Sequence, residues 1–277
     1  MVRGCSAFPC PQRSAADLAH PSTDSLAHQA HATAPEDTMT DWTLHHGDAL
    51  TTLATIADNS IDAVITDPPY NSGGRTPNDR TGQGSRDKYV SSDAKHDLPD
   101  FEGETRDQRG YLAWMSLVLA ECRRTAVTGA PLLLFTDWRQ LPVTSDALQA
   151  AGWVWRGIVP WNKPIARPTP AGFRRSCEYI LWATNGPVDA ARNPIYLPGI
   201  FTASQPRGNK RQHITQKPDE LMDELVRICA PGGTVLDPFA GSGSTGVAAV
   251  ASGRQFVGVE LSPKYAKVAR GRLSLAA

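Results

Sequence analysis

The chain has 277 residues, 40% of them hydrophobic, and its 28 basic and 28 acidic side chains leave no net formal charge. This length suffices for one well-packed core with a small inserted region, and no apolar run approaches the ~20 residues that span a bilayer. The five cysteines form no CxxC pair and no ligand spacing with histidine, so we expect reduced thiols, no disulfide and no metal site in a cytoplasmic protein.

Residues 1–38 are rich in alanine, serine, proline and histidine, with almost no periodic apolar pattern. This composition predicts a disordered tail that lacks the apolar segment of a secretion signal. Patterned sequence begins near Met39, so we expect a single folded domain over residues 39–277 and a tail that is dispensable or outside the natural start.

Residues 42–50 are predicted to form a strand that ends at Gly47-Asp48 and leads into a short helix. Asp48 suits the cap of that helix. The run from Ser60 to Ile65 is short, apolar and rich in β-branched residues, which is typical of a buried strand in a parallel sheet.

The motif Asp67-Pro68-Pro69-Tyr70 follows this strand. Two prolines cannot continue a strand, so the chain leaves the sheet at its carboxyl end, where ligands bind in open α/β sheets. Asp67 offers hydrogen-bond acceptors, the two prolines offer carbonyls in a stiff extended chain, and Tyr70 offers an aromatic face. Together these groups suit an exocyclic amine and the ring that carries it. The alternative is an ordinary turn with a surface tyrosine.

The next part of the chain predicts a loop and then an α/β sheet. Residues 72–104 are polar and glycine-rich, and we expect a mobile loop that closes over DNA or a cofactor, the alternative being an ordinary solvent-exposed loop. Beyond it, helical and strand patterns alternate, which predicts a Rossmann-like, mixed but mostly parallel sheet. The predicted elements are a helix over 107–126, a strand over 131–136, a helix over 141–151, and strands over 153–161 and 177–183.

The middle of the chain is basic although the whole chain is neutral. Between Arg123 and Lys217 there are 13 lysines and arginines and four acids. Such a segment is expected where a protein contacts phosphates, the alternative being an ordinary basic surface. The candidates for contact with double-stranded DNA are Arg75, Arg167, Arg174, Arg175, Arg207, Lys210 and Arg211.

A glycine-rich turn follows the predicted strand that ends at Asp237. Gly241, Gly243 and Gly246 have the spacing of a dinucleotide-binding turn, and Glu260 lies 19 residues beyond Gly241. An acidic residue in that position binds ribose hydroxyls. The spacing predicts a cofactor that contains a nucleoside but does not say which one.

The string DPPY at 67–70, together with DPFAGSGSTG at 237–246, resembles the amino-group DNA methyltransferases of the N-4/N-6 family. These enzymes use S-adenosylmethionine. Because DPPY comes first and the glycine turn comes near the C-terminus, the order is similar to the beta group, whose class I methyltransferase fold is circularly permuted. The resemblance covers roughly residues 41–275. It implies methylation of N6 of adenine in a flipped-out base, or alternatively of N4 of cytosine.

The resemblance also implies roles for individual residues. The catalytic set is Asp67, Pro68, Pro69 and Tyr70. The cofactor-binding set is Asp48, Gln216, Lys217, Asp237, Pro238, Phe239, Ala240, Gly241, Ser242, Gly243 and Glu260. A target-recognition region is expected at about 185–212, and so short a region is compatible with a homodimer. Whether a restriction endonuclease partner exists is left open.

Other functions stay open at this point. The glycine spacing alone also suits an NAD-dependent oxidoreductase. A methyltransferase of RNA or protein is a second alternative, but those relatives usually begin the motif with asparagine rather than with an aspartate such as Asp67. A DNA-binding module without catalysis is a third. Within the family, aspartate at this position resembles the adenine enzymes, whereas many N4-cytosine enzymes have serine there.

Overall fold

The computed structural model describes residues 41–70, 106–166, 168, 170–205 and 217–277. Several predictions therefore lie outside the described residues. They are the disordered tail over 1–38, the loop over 72–104, the part of the recognition region at 206–212, and the candidates Arg75, Arg167, Arg207, Lys210, Arg211 and Gln216.

Strands and helices alternate along the described chain, as the sequence predicted. The strands are β1 (Trp42–His46), β2 (Ala63–Thr66), β3 (Pro131–Thr136), β4 (Val154–Asn162), β5 (Cys177–Thr184), β6 (Phe201–Thr202), β7 (Thr234–Asp237) and β8 (Gln255–Glu260). The α-helices are α1 (Ala49–Leu53), α2 (Gln108–Thr125), α3 (Leu141–Ala150), α4 (Asp219–Leu225), α5 (Ser244–Ala251) and α6 (Pro263–Ala276). None of these helices is long and apolar enough to cross a bilayer.

The ends of most elements agree with the predicted ones within one or two residues, and the details have local causes. α2 begins after Asp107, whose side chain accepts a hydrogen bond from the N–H of Gly110 at 2.7 Å and so caps the helix. β2 begins at Ala63, three residues later than predicted, because Ile61 forms only an isolated bridge to Ala126.

The strands form one sheet in the order β1-β8-β7-β2-β3-β5-β4-β6. Neighbours from β1 to β3 in this order are parallel, whereas β5 is antiparallel to both β3 and β4. The mixed, mostly parallel α/β sheet is therefore confirmed. One edge of the sheet collects the carboxyl ends of β1, β8, β7, β2, β3 and β4, together with the amino end of β5.

The sheet is covered on both faces. Ala63 and Ile65 of β2 pack in the layer formed with α4, α5 and α6, and Val64 packs in the layer formed with α2 and α3. All four side chains of β2 are buried, which is the pattern of a central strand in an α/β sheet. Residues 67–70 therefore leave the sheet from a buried central strand.

Gly246 of α5 lies where three elements pack closely. A Cβ at this position would lie 2.6 Å from ring carbons of Phe256 in β8 and 2.7 Å from Cδ2 of Leu273 in α6. Both neighbours are fully buried in the core. The absence of a side chain is what allows α5 to approach the sheet, so this glycine has a packing role in addition to its place in the motif.

We expect Gly246→Ala to lower the free energy of unfolding by about 1–3 kcal/mol, because the added methyl group forces the core to shift. The matched control is Gly271→Ala in α6, where a Cβ would meet nothing within 4 Å. That change should raise stability by about 0.5–1 kcal/mol, because alanine restricts the unfolded chain. Urea unfolding measures both, and equal effects would contradict the packing argument.

Candidate active site

Four acidic residues stand at the ends of four neighbouring strands. Asp48 comes just after β1, Glu260 ends β8, Asp237 ends β7 and Asp67 comes just after β2. The register pairs His46 with Glu260, and the carbonyl of Glu260 accepts the N–H of Gly47 at 3.0 Å. The structure therefore brings the predicted catalytic and cofactor-binding motifs to one edge of the sheet.

Asp67 and Tyr70 are joined by Lys217, which lies just before α4. The Lys217 ammonium donates hydrogen bonds to Oδ2 of Asp67 at 2.5 Å and to the Tyr70 hydroxyl oxygen at 3.2 Å. Its Nζ also lies 4.9 Å from the centre of the Phe135 ring and 5.7 Å from that of Trp161. Lys217 was predicted to bind the cofactor, and the structure places its ammonium group against Asp67 and Tyr70 of the DPPY motif.

A further acid, Glu178 of β5, completes the group. Its Oε2 accepts a hydrogen bond from the Tyr70 hydroxyl at 3.1 Å and lies 3.4 Å from the Lys217 ammonium. Its Oε1 accepts a hydrogen bond from the Lys163 ammonium at 2.7 Å. We call Asp67, Tyr70, Lys163, Glu178 and Lys217 the acid–lysine cluster. Two carboxylates face two ammonium groups, which is the balance that buried charges require.

The surroundings shift the pKa values of the two carboxylates of the cluster in opposite directions. Burial raises the pKa of Asp67, and Lys217 offsets this only in part, while Glu178 raises it further. Burial also raises the pKa of Glu178, but Lys217 and Lys163 outweigh it and hold that pKa below its usual value. Glu178 is thus the fixed anion of the cluster, and Asp67 is the carboxylate that takes up a proton more readily than usual.

The other two polar groups keep their protons. Burial lowers the pKa of Lys217, but Asp67 and Glu178 outweigh it, so the pKa is raised and the side chain stays cationic. Burial and the same two acids raise the pKa of Tyr70 well above its usual value. Its hydroxyl therefore remains a hydrogen-bond donor at neutral pH.

One oxygen of Asp67 stands out within the cluster. Oδ2 is held by Lys217, whereas Oδ1 is buried and has no hydrogen-bond partner among the residues that the structure describes. Buried acceptors without a partner are rare in folded proteins. Oδ1 of Asp67 therefore has an acceptor capacity that no described protein donor uses, in the motif that also contains Tyr70.

Asp237, in contrast, is saturated from within the protein. Its Oδ1 accepts hydrogen bonds from the Thr66 hydroxyl at 2.7 Å and from the N–H of Phe239 at 3.0 Å, and its Oδ2 accepts one from the Thr245 hydroxyl at 2.7 Å. Burial raises its pKa to about 6. The geometry assigns Asp237 to holding the glycine turn in place, where the sequence suggested direct binding of the cofactor.

Glu260 closes the glycine turn from the next strand. Its two carboxylate oxygens accept the N–H groups of Gly241 and Ser262, both at 2.8 Å. Gly241 and Gly243 have φ angles of 54° and 81°, the left-handed region that glycine adopts without strain. Burial raises the pKa of Glu260 to about 7. The turn and its acid are therefore preformed at the strand end.

The remaining predicted residues have clear surroundings. Asp48 accepts hydrogen bonds from the N–H and the hydroxyl of Thr51, so it caps α1, as the sequence suggested. Phe239 packs against Trp114 of α2, with ring centres 5.5 Å apart. The carbonyl of Ser242 accepts a hydrogen bond from Arg272 of α6 at 3.0 Å.

Of the predicted DNA-binding residues, Arg174 and Arg175 are described, and both are exposed. The Arg175 guanidinium lies 5.9 Å from the centre of the Trp138 ring, and that of Arg139 lies 5.3 Å from it. Trp138 itself is 51% exposed. It follows β3, so this basic and aromatic patch shares the sheet edge with Asp67.

Sequence reasoning missed two members of the acid–lysine cluster, Lys163 and Glu178. A signal for Glu178 was present, because it is the single charged residue in the otherwise apolar or uncharged strand Cys177–Thr184. A buried acid in a strand needs a cationic partner. Which lysine supplies it depends on how the strands pair, and that information is not local.

Comparisons with known proteins agree with this arrangement. Residues 61–271 match the family model N6_N4_Mtase, described as DNA methylase. The chain is 30% identical over 230 residues to YubD of Escherichia coli K12, covering 82% of this chain and 88% of YubD. It is 27% identical over 272 residues to the DNA adenine methyltransferase YhdJ of the same organism, covering 84% and 83%.

Solved structures support the same fold. The crystal structure of TTHA0409 from Thermus thermophilus, complexed with S-adenosyl-L-methionine, matches with a TM-score of 0.59 and 26% sequence identity. The match covers 84% of this chain and 95% of that one. The class I methyltransferase fold expected from the resemblance is thereby confirmed, and the predicted cofactor agrees with the ligand of that complex.

The hydrogen bonds of Asp237 generate a stability prediction. Thr245→Val keeps the shape of the side chain but removes the hydroxyl that donates to Oδ2 of Asp237. We expect a loss of about 1–3 kcal/mol at pH 8, where the buried carboxylate is ionised. Thr245→Ser keeps the donor and should lose clearly less.

The loss in Thr245→Val should shrink at pH 5. A carboxyl whose pKa is raised from 3.8 to about 6 in the folded protein destabilises the fold as pH rises through that range. At pH 5 the carboxyl is mostly protonated, and the missing hydroxyl matters less. Urea unfolding of the three proteins at pH 5 and pH 8 tests this, and a loss that is the same at both pH values would contradict it.

Proposed function

Because the chain belongs to the N6_N4_Mtase family of DNA methylases, we propose that it transfers a methyl group from S-adenosylmethionine to N6 of adenine in double-stranded DNA. The observation that carries the proposal is the buried Oδ1 of Asp67, which has no partner within the described chain and lies at the end of β2. Family membership also disfavours the NAD-dependent oxidoreductase that the glycine spacing alone allowed.

The amine of the target base has two hydrogens that need acceptors. In the proposal, Oδ1 of Asp67 accepts one and the carbonyl of Pro68 accepts the other, which directs the nitrogen lone pair toward the methyl donor. An amine that is paired inside a duplex cannot make these contacts, so the base must be flipped out of the helix. The Tyr70 ring would then stack on the extruded base.

The cofactor would occupy the edge formed by β1, β8 and β7. The preformed turn at Gly241 and Gly243 lets backbone approach a ligand closely, and Glu260 offers a carboxylate for the ribose hydroxyls. Asp48 is exposed and uses only Oδ1 to cap α1, so Oδ2 suits the amino group of the cofactor's adenine. S-adenosylmethionine fits these donors and acceptors.

When bound, S-adenosylmethionine supplies a methyl group that passes to the amine nitrogen as the carbon–sulfur bond breaks, leaving a neutral thioether. The nitrogen then gives up one proton, and Asp67 is the nearest base. Because burial raises the pKa of Asp67, this carboxylate accepts a proton more readily than an exposed aspartate does. The step involves no covalent bond between protein and base.

The proposed DNA surface is the patch of Trp138, Arg139 and Arg175. β2 and β3 are neighbours with Thr66 opposite Leu134, and Trp138 lies in the turn just after β3, so it is at the same edge of the sheet as Asp67. The exposed guanidinium groups suit phosphates, and the ring suits stacking on a base. Arg174 lies beside this patch and belongs to the same proposal.

The proposal also specifies the target atom, N6 of adenine. Asp67 at the first position of the motif supports adenine, as does the name of the relative YhdJ. N4 of cytosine is the alternative, since its amine makes the same two hydrogen bonds.

The function is tested by nucleoside mass spectrometry. The full chain is incubated with S-adenosylmethionine and DNA that lacks amine methylation, and the digest is searched for N6-methyladenine and N4-methylcytosine. We expect N6-methyladenine. N4-methylcytosine would overturn the adenine assignment, and neither product from a protein that binds the cofactor would overturn the proposed function.

The same assay tests Asp67. Asp67→Asn puts a donor where the amine needs an acceptor and removes the anion from Lys217, so we expect methylation to fall at least about 100-fold. Asp146→Asn on the exposed face of α3 is the control and should keep full activity. Retained activity in Asp67→Asn would remove Asp67 from the site.

Glu260 generates a pH prediction for cofactor binding. Its carboxylate accepts ribose hydroxyls best when ionised, and its pKa is raised to about 7. Affinity for S-adenosylmethionine should therefore fall as pH is lowered from 8 to 6, by up to about tenfold per unit below pH 7. Calorimetric titration measures this.

Glu260→Gln is the matched variant. It should bind the cofactor more weakly at pH 8 and lose that part of the pH dependence. Any titration of the ligand itself is common to both proteins and cancels in the comparison. Identical pH profiles for the two proteins would show that Glu260 does not contact the cofactor.

A further inference from the structure

Glu178 belongs to neither of the motifs that define the proposed function, yet it contacts the catalytic motif directly. The residue is 9% exposed, and it lies in the strand antiparallel to β3 and β4. Its register partner across β4 is Trp161, whose ring is fully buried. An apolar side chain would fit this layer of the core, so the acid requires a separate explanation.

The contacts of Glu178 supply one. Oε2 accepts the Tyr70 hydroxyl at 3.1 Å and lies 3.4 Å from the Lys217 ammonium. Lys217 in turn binds Oδ2 of Asp67 at 2.5 Å. Glu178 is therefore one contact away from Asp67 and in direct contact with Tyr70.

We propose that Glu178 is a positioning residue of the methyl-transfer site, which fixes the Tyr70 ring through its hydroxyl and shares the Lys217 ammonium with Asp67. Because Lys217 also pairs with Glu178, its positive charge offsets the negative charge of Asp67 only in part. Asp67 therefore remains a good acceptor for the amine and for its proton. The inference rests on the proposed function, because it assigns Asp67 and Tyr70 their roles in that reaction.

The charges around the two acids determine what each substitution does. Asp67 faces Lys217, Glu178 and the Tyr70 hydroxyl, with Asp237 beyond them. Glu178 faces Lys163, Lys217 and the Tyr70 hydroxyl. Removing the charge of Glu178 leaves Lys217 with Asp67 as its single carboxylate partner in the acid–lysine cluster. Asp67 then becomes a weaker base.

Glu178→Gln makes this change with little loss of shape, because the amide oxygen can still accept the Tyr70 hydroxyl. The rate requires ionised Asp67, so the acidic limb of the pH profile of kcat should move to lower pH by about one unit. Above that limb kcat should fall about tenfold, because a less basic carboxylate takes the proton less readily.

Lys163→Met makes the opposite change. It removes the second cation from Glu178, which then draws more strongly on Lys217, and Asp67 loses part of the positive charge beside it. The acidic limb should move to higher pH. This opposite sign is what distinguishes shared charge from a structural defect, which would lower the rate by one factor at every pH.

Tyr70→Phe tests the hydrogen bond between the Tyr70 hydroxyl and Glu178 separately from the shared charge. The sequence pointed to the aromatic face of Tyr70, and the structure adds that its hydroxyl is bound to Glu178 and Lys217. We expect Tyr70→Phe to raise KM for DNA severalfold with little movement of the acidic limb. Glu224→Gln, on the exposed part of α4, is the control and should change neither quantity.

The experiment measures kcat and KM of the full chain between pH 5 and pH 8.5 for wild type and the four variants. A second readout needs neither DNA nor cofactor: the titration of the Asp67 carboxyl by 13C NMR in protein with labelled aspartate, assigned with Asp67→Asn. This titration remains informative if the wild type methylates nothing or if a variant is too slow to assay, so the two proposals fail separately.

The expected result is a lower pKa of the Asp67 carboxyl in Glu178→Gln and a higher pKa in Lys163→Met, with matching shifts of the pH profiles of kcat. Unshifted titrations in two variants that retain the wild-type fold would overturn the proposal, as would shifts in the same direction. If Glu178→Gln does not fold, Lys163→Met alone decides the outcome by the sign of its shift.

Discussion

The ion pair between Lys217 and Asp67 is the contact on which the proposed site depends. It joins positions 150 residues apart in the chain, since Lys217 lies just before α4 and Asp67 just after β2. A buried ammonium group is stable only where carboxylates surround it. Glu178 supplies the second carboxylate, and its own excess charge is balanced by Lys163. The catalytic motif is therefore held by electrostatics that reach across the sheet, and the proline turn is one part of it.

The two aspartates at the ends of neighbouring strands show how one residue type takes two roles. Asp237 has both oxygens bound by protein donors, and it fixes the glycine turn to Thr66 of β2. Asp67 has one oxygen bound and the other buried without a partner in the described chain. Three protein donors leave Asp237 little capacity to bind a ligand, whereas Oδ1 of Asp67 still lacks a donor and can accept one from a substrate group. Both aspartates are followed by a proline in their motifs, and their hydrogen bonds distinguish their roles.

Local sequence predicted much of this arrangement, but it did not predict the contacts between residues that are distant in the chain. The α/β alternation, the buried β2 and the glycine turn follow from apolar pattern, prolines and glycines. Asp48 was also predictable as a helix cap. Lys217 was assigned to the cofactor through the family resemblance. Its contact with Tyr70 joins the start of α4 to the end of β2, and the contact of Glu178 with Tyr70 depends on β5 lying next to β3, so no local pattern encodes either one.

The two halves of the proposed site are coupled by a short buried link. Thr66 donates to Asp237 at 2.7 Å, so the residue just before Asp67 is hydrogen-bonded to the residue that begins the glycine turn. Amine and methyl donor would thus be placed by adjacent strands whose mutual position is fixed before either ligand arrives. Transfer between two bound groups depends steeply on such positioning. The chain order separates the two motifs by 170 residues from Asp67 to Asp237, and the sheet makes them neighbours.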